Sequence, residues 1–316
     1  LSKLKGRGLF VFSDPGGAKP LLALINQLSG ILEDHRVVSD REYSFFNEFG
    51  IVVSRPDMIS DFDEFKPEFV FTGTSYTSDI ELVYIKEAAD RKIPCYSFVD
   101  HWSEILQRFK KDDVFCMPDK ILVIDQAAKE LALNEGIESE RLEIFGNPYH
   151  LFLKNWEPII DRKSFFGSYN IDPNDFVITF APDPLSNAGG ALRFGTDEKE
   201  IASIFIKALE NISTDKKITV IVKLHPNQNY DYLVSAFDDT SIPSVCLKEV
   251  DTRYLLYFSD IVVGIFSNIL AEASIFGKKI IRILINCLID PLEVQNIGQV
   301  CTTKEQLEKN LHNNLQ

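Results

Sequence analysis

The stretch Asp260–Arg282, DIVVGIFSNILAEASIFGKKIIR, constrains the fold more than any other part of the chain. Ile261–Val263 is a short apolar, β-branched run of the kind that forms a strand buried on both faces. Gly264 opens a turn, and Ser267 supplies a hydroxyl where a helix needs an N-cap. Ile269, Leu270, Ala273 and Phe276 follow at the spacing of one helical face. Gly277 predicts a left-handed C′ end, with Lys278 and Lys279 complementing the negative end of the helix dipole. Ile280–Leu284 reads as the next strand. Such a strand–turn–helix unit opens its helix N-terminus at the carboxyl edge of a parallel sheet. Unpaired N–H groups and the positive dipole end favour phosphate there. Glu272 lies one turn beyond Asn268, on the same rim. Its carboxylate can accept two ribose hydroxyls of a nucleotide whose phosphates sit at Ser267 and Asn268, or it is a partly solvated surface position.

The chain has 316 residues, enough for two domains, and 45% hydrophobic residues with 24 Phe mark it as globular. A net charge of −14 argues against nucleic acid as a partner, although a local positive site can still take a phosphorylated small molecule. The five cysteines (95, 116, 246, 287, 301) form no CxxC pair and read as reduced core residues of an intracellular protein. The histidines show no metal-ligand spacing, so no metal site is expected. With no signal peptide or membrane-length apolar run visible, we expect a cytoplasmic protein, its peripheral association with the inner face of the membrane left open.

Strand and helix patterns alternate along the chain. Leu9–Ser13 is a buried strand leading into Asp14-Pro15-Gly16-Gly17-Ala18, then a helix with Leu21, Leu24, Ile25, Leu28 and Leu32 on one face. Gly16 and Gly17 either let a ligand approach the backbone or form a tight turn with none. This is not the GxGxxG dinucleotide pattern. Strands at Arg36–Ser39 and Ile51–Ser54 flank a helix around Phe45 and Phe46. The strand Glu68–Thr72 ends in the small-polar loop of Thr74 and Ser75, followed by a helix over Asp79–Asp90. The strand Ile93–Phe98 delivers Asp100-His101-Trp102, where a carboxylate and an imidazole offer a general base or serve only as caps. Trp102 either stacks on a sugar or base or packs internally. The strand Lys120–Ile124, the helix Gln126–Glu135 and the strand Leu142–Phe145 complete a first domain, 1–150, with an irregular linker over 151–174.

The second domain, 175–316, repeats the logic. The strand Phe176–Phe180 feeds a long loop, Ala181–Thr196, holding Asp183, Ser186, Asn187, Gly189, Gly190 and Arg193. After a helix over Asp197–Leu209, the strand Lys217–Leu224 ends in His225-Pro226-Asn227 at a carboxyl edge. A helix near Tyr230–Phe237, a strand at Val245–Leu247 and a helix at Thr252–Phe258 lead to the opening stretch, and Thr303–His312 is a terminal helix.

Four stretches carry a resemblance to a known group. They are the Gly16-Gly17 turn, Asn134–Ile137 with Glu140–Pro148, Leu224-His225-Pro226-Asn227, and Glu272-Ala273 with Gly277-Lys278. In this order they resemble the GT-B group, which holds nucleotide-sugar glycosyltransferases and UDP-N-acetylglucosamine 2-epimerases. The resemblance implies an α/β chain of two Rossmann-like parallel-sheet domains facing a central cleft. It implies a nucleotide-sugar donor on the second domain and a carbohydrate or glycolipid acceptor over the first, with no cofactor. His225 would lie near the donor diphosphate, Ser267 and Asn268 at the phosphate, and Glu272 on the ribose. The sequence departs from the epimerases at Phe266-Ser267-Asn268, where they carry Ser-Gly-Gly. It departs again at Val99-Asp100-His101-Trp102-Ser103, where they carry Glu-Ala-Gly-Leu-Arg. Losing that acidic run argues for transfer rather than epimerisation. The expectation is a metal-independent glycosyltransferase of surface-polysaccharide or glycolipid assembly, with an epimerase or hydrolase, a glycerophosphate or polysialic-type polymer transferase, or a non-catalytic subunit as alternatives. His101, Asp100 or Asp14 would be the base, and His225, Lys223, Arg193 and the Ser267–Asn268 helix end would stabilise the leaving diphosphate.

Overall fold

A computed structural model describes residues 4–102, 104–225, 231–238 and 240–316. The chain divides into two compact units, Leu1–Phe152 and Leu153–Gln316.

In the first unit, β1 (Gly6–Phe12) runs into α1 (Pro15–Gln27), followed by β2 (Leu32–Ser39), β3 (Val53–Ser54) and β4 (Phe69–Thr72). Then come α2 (Ile80–Arg91), β5 (Cys95–Val99) and a hairpin of β6 (Lys110–Lys111) with β7 (Val114–Phe115). β8 (Lys120–Val123), α3 (Gln126–Asn134), β9 (Leu142–Ile144) and α4 (Pro148–Lys154) follow. The sheet order is β3-β2-β1-β4-β5-β8-β9, every pairing parallel. Because both faces are covered by helices, the central strand carries no alternation: Leu9, Phe10, Val11 and Phe12 are all 0% exposed.

The second unit is built from α5 (Arg162–Gly167), β10 (Phe176–Ala181), α6 (Gly190–Phe194), α7 (Glu198–Glu210), β11 (Ile218–Lys223), α8 (Asp231–Asp238) and β12 (Ser244–Leu247). It continues with α9 (Thr252–Phe258), β13 (Ile261–Gly264), α10 (Asn268–Ile275), β14 (Lys279–Ile283), β15 (Gln299–Cys301) and α11 (Lys304–Leu315). Its sheet order is β12-β11-β10-β13-β14-β15, again all parallel. Each sheet therefore grows outward from its first strand, then reverses to the other side of it. The reversals fall between β1 and β4 and between β10 and β13. At such switch points the loops leave in opposite directions and open a crevice at the carboxyl ends of the strands.

Several expectations are corrected. Leu32 does not extend the face of α1; it starts β2, because the chain turns at Ser29–Gly30 after α1 ends. The segment around Phe45 and Phe46 is a 3-10 helix, Ser44–Phe49, rather than an α-helix. The stretch 151–174 is not irregular throughout. α4 runs to Lys154, and α5 puts Phe165 and Phe166 into the core of the second unit with Ile171, Val177, Ile221 and Leu255. Asp161 caps α5 through Ser164 N, and Arg162 Nη2 meets Asp260 Oδ2 at 2.9 Å. The loop after β10 is likewise structured, holding a 3-10 turn at Leu185–Ala188 and then α6. The hairpin β6–β7 and the edge strand β15 went unread, being only two and three residues long. Gly277 does sit past the end of α10 with φ +66°. All five cysteines are free, and among the described residues no helix is long and apolar enough to cross a membrane.

The first switch point depends on a close backbone approach. A Cβ built on Gly73 would lie 3.0 Å from Gly17 Cα, and one on Gly17 would lie 3.2 Å from Gly73 Cα. Gly73→Ala should therefore lower the stability of the first unit by about 1–3 kcal/mol, since backbone must yield. Urea denaturation checks this, and an unchanged midpoint would contradict it.

Candidate functional site

The first switch point is organised by Glu81, on the first turn of α2, which is 2% exposed. Its Oε1 accepts from Ser13 N at 3.0 Å and from Ser75 Oγ at 2.5 Å, tying the turn after β1 to the loop after β4. Ser75 Oγ in turn accepts from Asp14 N at 3.0 Å. Asp14 is the N-cap of α1 by backbone, but its side chain caps no N–H of the helix. Its Oδ1 takes Arg41 Nη1 at 2.8 Å and Thr77 Oγ1 at 2.6 Å, and its Oδ2 takes Tyr76 N at 3.1 Å. Thr74 is buried, with Arg108 Nη1 at 3.4 Å from its Oγ1. Asp14 and Ser75, singled out from sequence as site residues, are thus brought together, while Thr74, beside Ser75 in the same loop, meets Arg108.

Gly16 and Gly17 have a structural reason to lack side chains. A Cβ on Gly16 would lie 2.1 Å from Asp100 Oδ2, so the Asp100 carboxylate lies against the first turn of α1. Arg108 Nη1 stands 3.7 Å from Asp100 Oδ1, and its guanidinium lies 4.3 Å from the centre of the Tyr76 ring. Burial, and then the Arg108 charge, push the His101 imidazole below its ordinary range. It is therefore neutral near pH 7. Trp102 is 7% exposed, and its Nε1 donates to Asp125 Oδ2 at 2.8 Å, so it serves packing rather than stacking on a ligand.

The second switch point has the same logic with different residues. Asp183 follows β10, and its Oδ2 accepts from Phe266 N at 3.1 Å, in the turn after β13. Arg282, on β14 and 1% exposed, donates from Nε to Ile265 O at 3.1 Å and pairs with Asp290 through Nη2. Two consecutive residues of that turn are therefore held by ionisable side chains, Arg282 buried and Asp183 half-buried. Phe194 of α6 packs on Phe266 with ring centres 5.8 Å apart. The next residue, Ser267, is the N-cap of α10 by backbone (φ −72°, ψ 149°), but its hydroxyl caps no N–H. That corrects the expected side-chain cap. Asn268 begins the helix, and half-buried Glu272 lies one turn further on, with Oε2 shut off from solvent.

The remaining expected donor-side residues sit around this edge in different ways. Lys223 Nζ donates to Leu224 O at 2.8 Å and Lys248 O at 3.0 Å, bracing the exits of β11 and β12. His225 is exposed just past β11, while Pro226, Asn227 and Tyr230 lie outside the described residues. Arg193 is exposed on α6, its guanidinium 5.1 Å from the Phe194 ring centre.

Sequence reasoning missed Glu81, Arg41, Arg108, Arg282 and Asp290, and passed over Asp183 as one loop residue among several. A charged Arg282 inside Ile-Ile-Arg-Ile-Leu was a legible sign, since a strand buried on both faces admits such a group only with partners. So was Asp183, placed directly at a strand exit. Nothing marked Glu81 apart from its neighbours on the helix.

The buried carboxyls have a consequence for stability. Burial raises Glu81 from 4.5 to about 7, and Asp183 from 3.8 to about 7. Between those values the folded chain holds a proton that the unfolded chain has lost. Stability then falls as pH rises through the window and levels off above pH 7. For Glu81 the change is on the order of 3 kcal/mol. Glu81→Gln keeps the Oε1 acceptor and cannot ionise, so its unfolding midpoint should fall less between pH 5 and 8 than that of the unsubstituted protein. Parallel pH profiles would contradict this.

No protein-family model matches the chain, and no curated protein matches it in sequence. Solved structures share its fold. The UDP-GlcNAc 2-epimerase of Methanocaldococcus jannaschii matches with a TM-score of 0.66 at 16% identity, over 96% of this chain and 91% of that one. The UDP-GlcNAc 2-epimerase of Neisseria meningitidis, bound to UDP-GlcNAc, gives 0.66 at 14% identity, over 96% and 90%. HepE of Anabaena, in complex with UDP and glucose, gives 0.61 at 16% identity, over 96% and 88%. The likeness shows the fold: two Rossmann-like α/β units of the GT-B, UDP-GlcNAc 2-epimerase-like kind.

Proposed function

We propose that the protein is a glycosyltransferase that moves a sugar from a nucleotide-activated donor to a saccharide or glycolipid acceptor. The observation that carries the reading is the start of α10 at the second switch point. There a helix N-terminus without a side-chain cap follows a clamped turn, and Glu272 stands one turn further along. Backbone N–H groups and the dipole suit a diphosphate, and a carboxylate at that distance suits ribose hydroxyls. The fold is shared with proteins solved in complex with UDP or UDP-GlcNAc, which supports a nucleotide sugar as the donor.

In the inverting form of the reaction, the acceptor hydroxyl passes its proton to a base as its oxygen attacks the anomeric carbon. The bond to the diphosphate breaks, and the electron pair leaves on the phosphate oxygen. Neutral His101 suits the base, and Asp100 is the second choice. Asp14 is less suited, because Arg41, Thr77 and Tyr76 already occupy its oxygens. At the leaving group, charge grows in the transition state, so donors at α10 and an imidazole at His225 would favour catalysis more than ground-state binding. Arg193 and Lys223 would contribute field rather than direct contact.

Epimerisation is the second reading, favoured by the fold shared with two UDP-GlcNAc 2-epimerases. Against it stands Val99-Asp100-His101-Trp102-Ser103 in place of the epimerases' acidic run. Incubation with UDP-, CMP-, CDP- and GDP-sugars separates the two. Slow release of free nucleotide, accelerated by an acceptor, supports transfer. A new isomer of the nucleotide sugar supports epimerisation, and no turnover with any donor contradicts both. Glu272→Gln should weaken binding of the preferred nucleotide by roughly 1–3 kcal/mol, the scale of a charged hydrogen bond, with folding little changed. Isothermal titration checks this, and equal affinity would return Glu272 to a structural role.

A further inference from the structure

The turn that delivers α10 is unusual in what holds it. Ile265 O accepts from buried Arg282, and Phe266 N donates to Asp183 Oδ2. Both partners are ionisable, and one of them is a carboxyl close to a helix start suited to anions. The charged and titratable groups that face Asp183 are Arg282 from β14, Glu198 from the start of α7 and Cys287 from the loop after β14. Glu198 is 1% exposed and already accepts from Ser186 N, Ser186 Oγ and Tyr232 Oη. Arg282 is shared with Asp290. The second unit thus gathers three carboxyls and one guanidinium around this turn.

We propose that Asp183 is a proton-linked positioning residue: a nucleotide diphosphate docks at the start of α10 together with a proton taken from solvent by Asp183. The inference rests on the reading of that helix end as a diphosphate site. Its logic is electrostatic. A carboxylate behind the turn opposes an incoming anion, and the anion in turn raises the affinity of that carboxylate for a proton. Oδ2 keeps the Phe266 N–H in either state, so the turn stays in place while Oδ1 takes the proton. Burial already brings the group close to half-protonation at neutral pH, so little free energy separates the two states. Asp183 touches no reacting atom in this account. It sets how strongly the site holds an anion at a given pH.

Calorimetric titration with UDP-GlcNAc, in two buffers of different ionisation enthalpy, counts the protons. This ligand has no phosphate group titrating near pH 7, so any uptake belongs to the protein. The unsubstituted protein should take up a fraction of a proton at pH 7. Asp183→Asn keeps an acceptor for Phe266 N–H and should take up less. The ratio of the two dissociation constants should shift about 3- to 10-fold between pH 6 and 8, with the unsubstituted protein losing affinity as pH rises. A purely structural Asp183 would leave that ratio constant, which would overturn the inference while sparing the diphosphate site. Binding by the unsubstituted protein without proton uptake would overturn it equally, whether or not the variant folds. Absence of UDP-GlcNAc binding at every pH would overturn the inference and count against the underlying reading.

Discussion

The carboxyl edges of both sheets depend on one kind of contact, a desolvated carboxyl accepting a backbone N–H across a switch point. Glu81 takes Ser13 N in the first unit, and Asp183 takes Phe266 N in the second. A parallel sheet leaves the exits of its strands without ladder partners just where the chain diverges. Turns at those exits need some other acceptor, or their N–H groups remain unsatisfied. A carboxyl serves both turns because it reaches across from a neighbouring element. Desolvation keeps it near neutrality, which lowers the electrostatic cost of placing it there.

That solution decides which polar groups remain for chemistry. In the first unit Ser75 and Asp14 are drawn into the pinning network, and Gly16, Gly17 and Gly73 lie in close approach to Asp100 and to one another. His101 is kept neutral by burial and by the Arg108 charge. In the second unit the clamps on Ile265 and Phe266 fix the chain up to Ser267 and so fix the direction in which α10 starts. A helix end stabilises an anion best when it is preorganised, and the Arg282 and Asp183 contacts hold the turn that leads into α10.

The strand–helix alternation was legible because parallel strands buried on both faces are short apolar runs. β10, β11 and β13 stand out in this way. Elements that do not bury an apolar face went unread, notably the hairpin β6–β7, whose Val114 and Phe115 are exposed. α5 was lost behind Pro158 and Pro173, although Phe165 and Phe166 fill the core. At the site, residues on strand exits were found from local pattern. Partners that reach in from elsewhere were not: Arg41, Arg108, Glu81 and Arg282 gain their roles only from tertiary contact. A sequence read in windows cannot pair Phe266 with Asp183, 83 residues away.

The most direct test of the account is a crystal structure of the protein with a bound UDP-sugar. The account predicts that the diphosphate oxygens accept hydrogen bonds from backbone N–H groups in the first turn of α10 and that the ribose hydroxyls reach the Glu272 carboxylate. A diphosphate held at another helix end of the second unit, such as the start of α7, with Glu272 facing solvent, would contradict it.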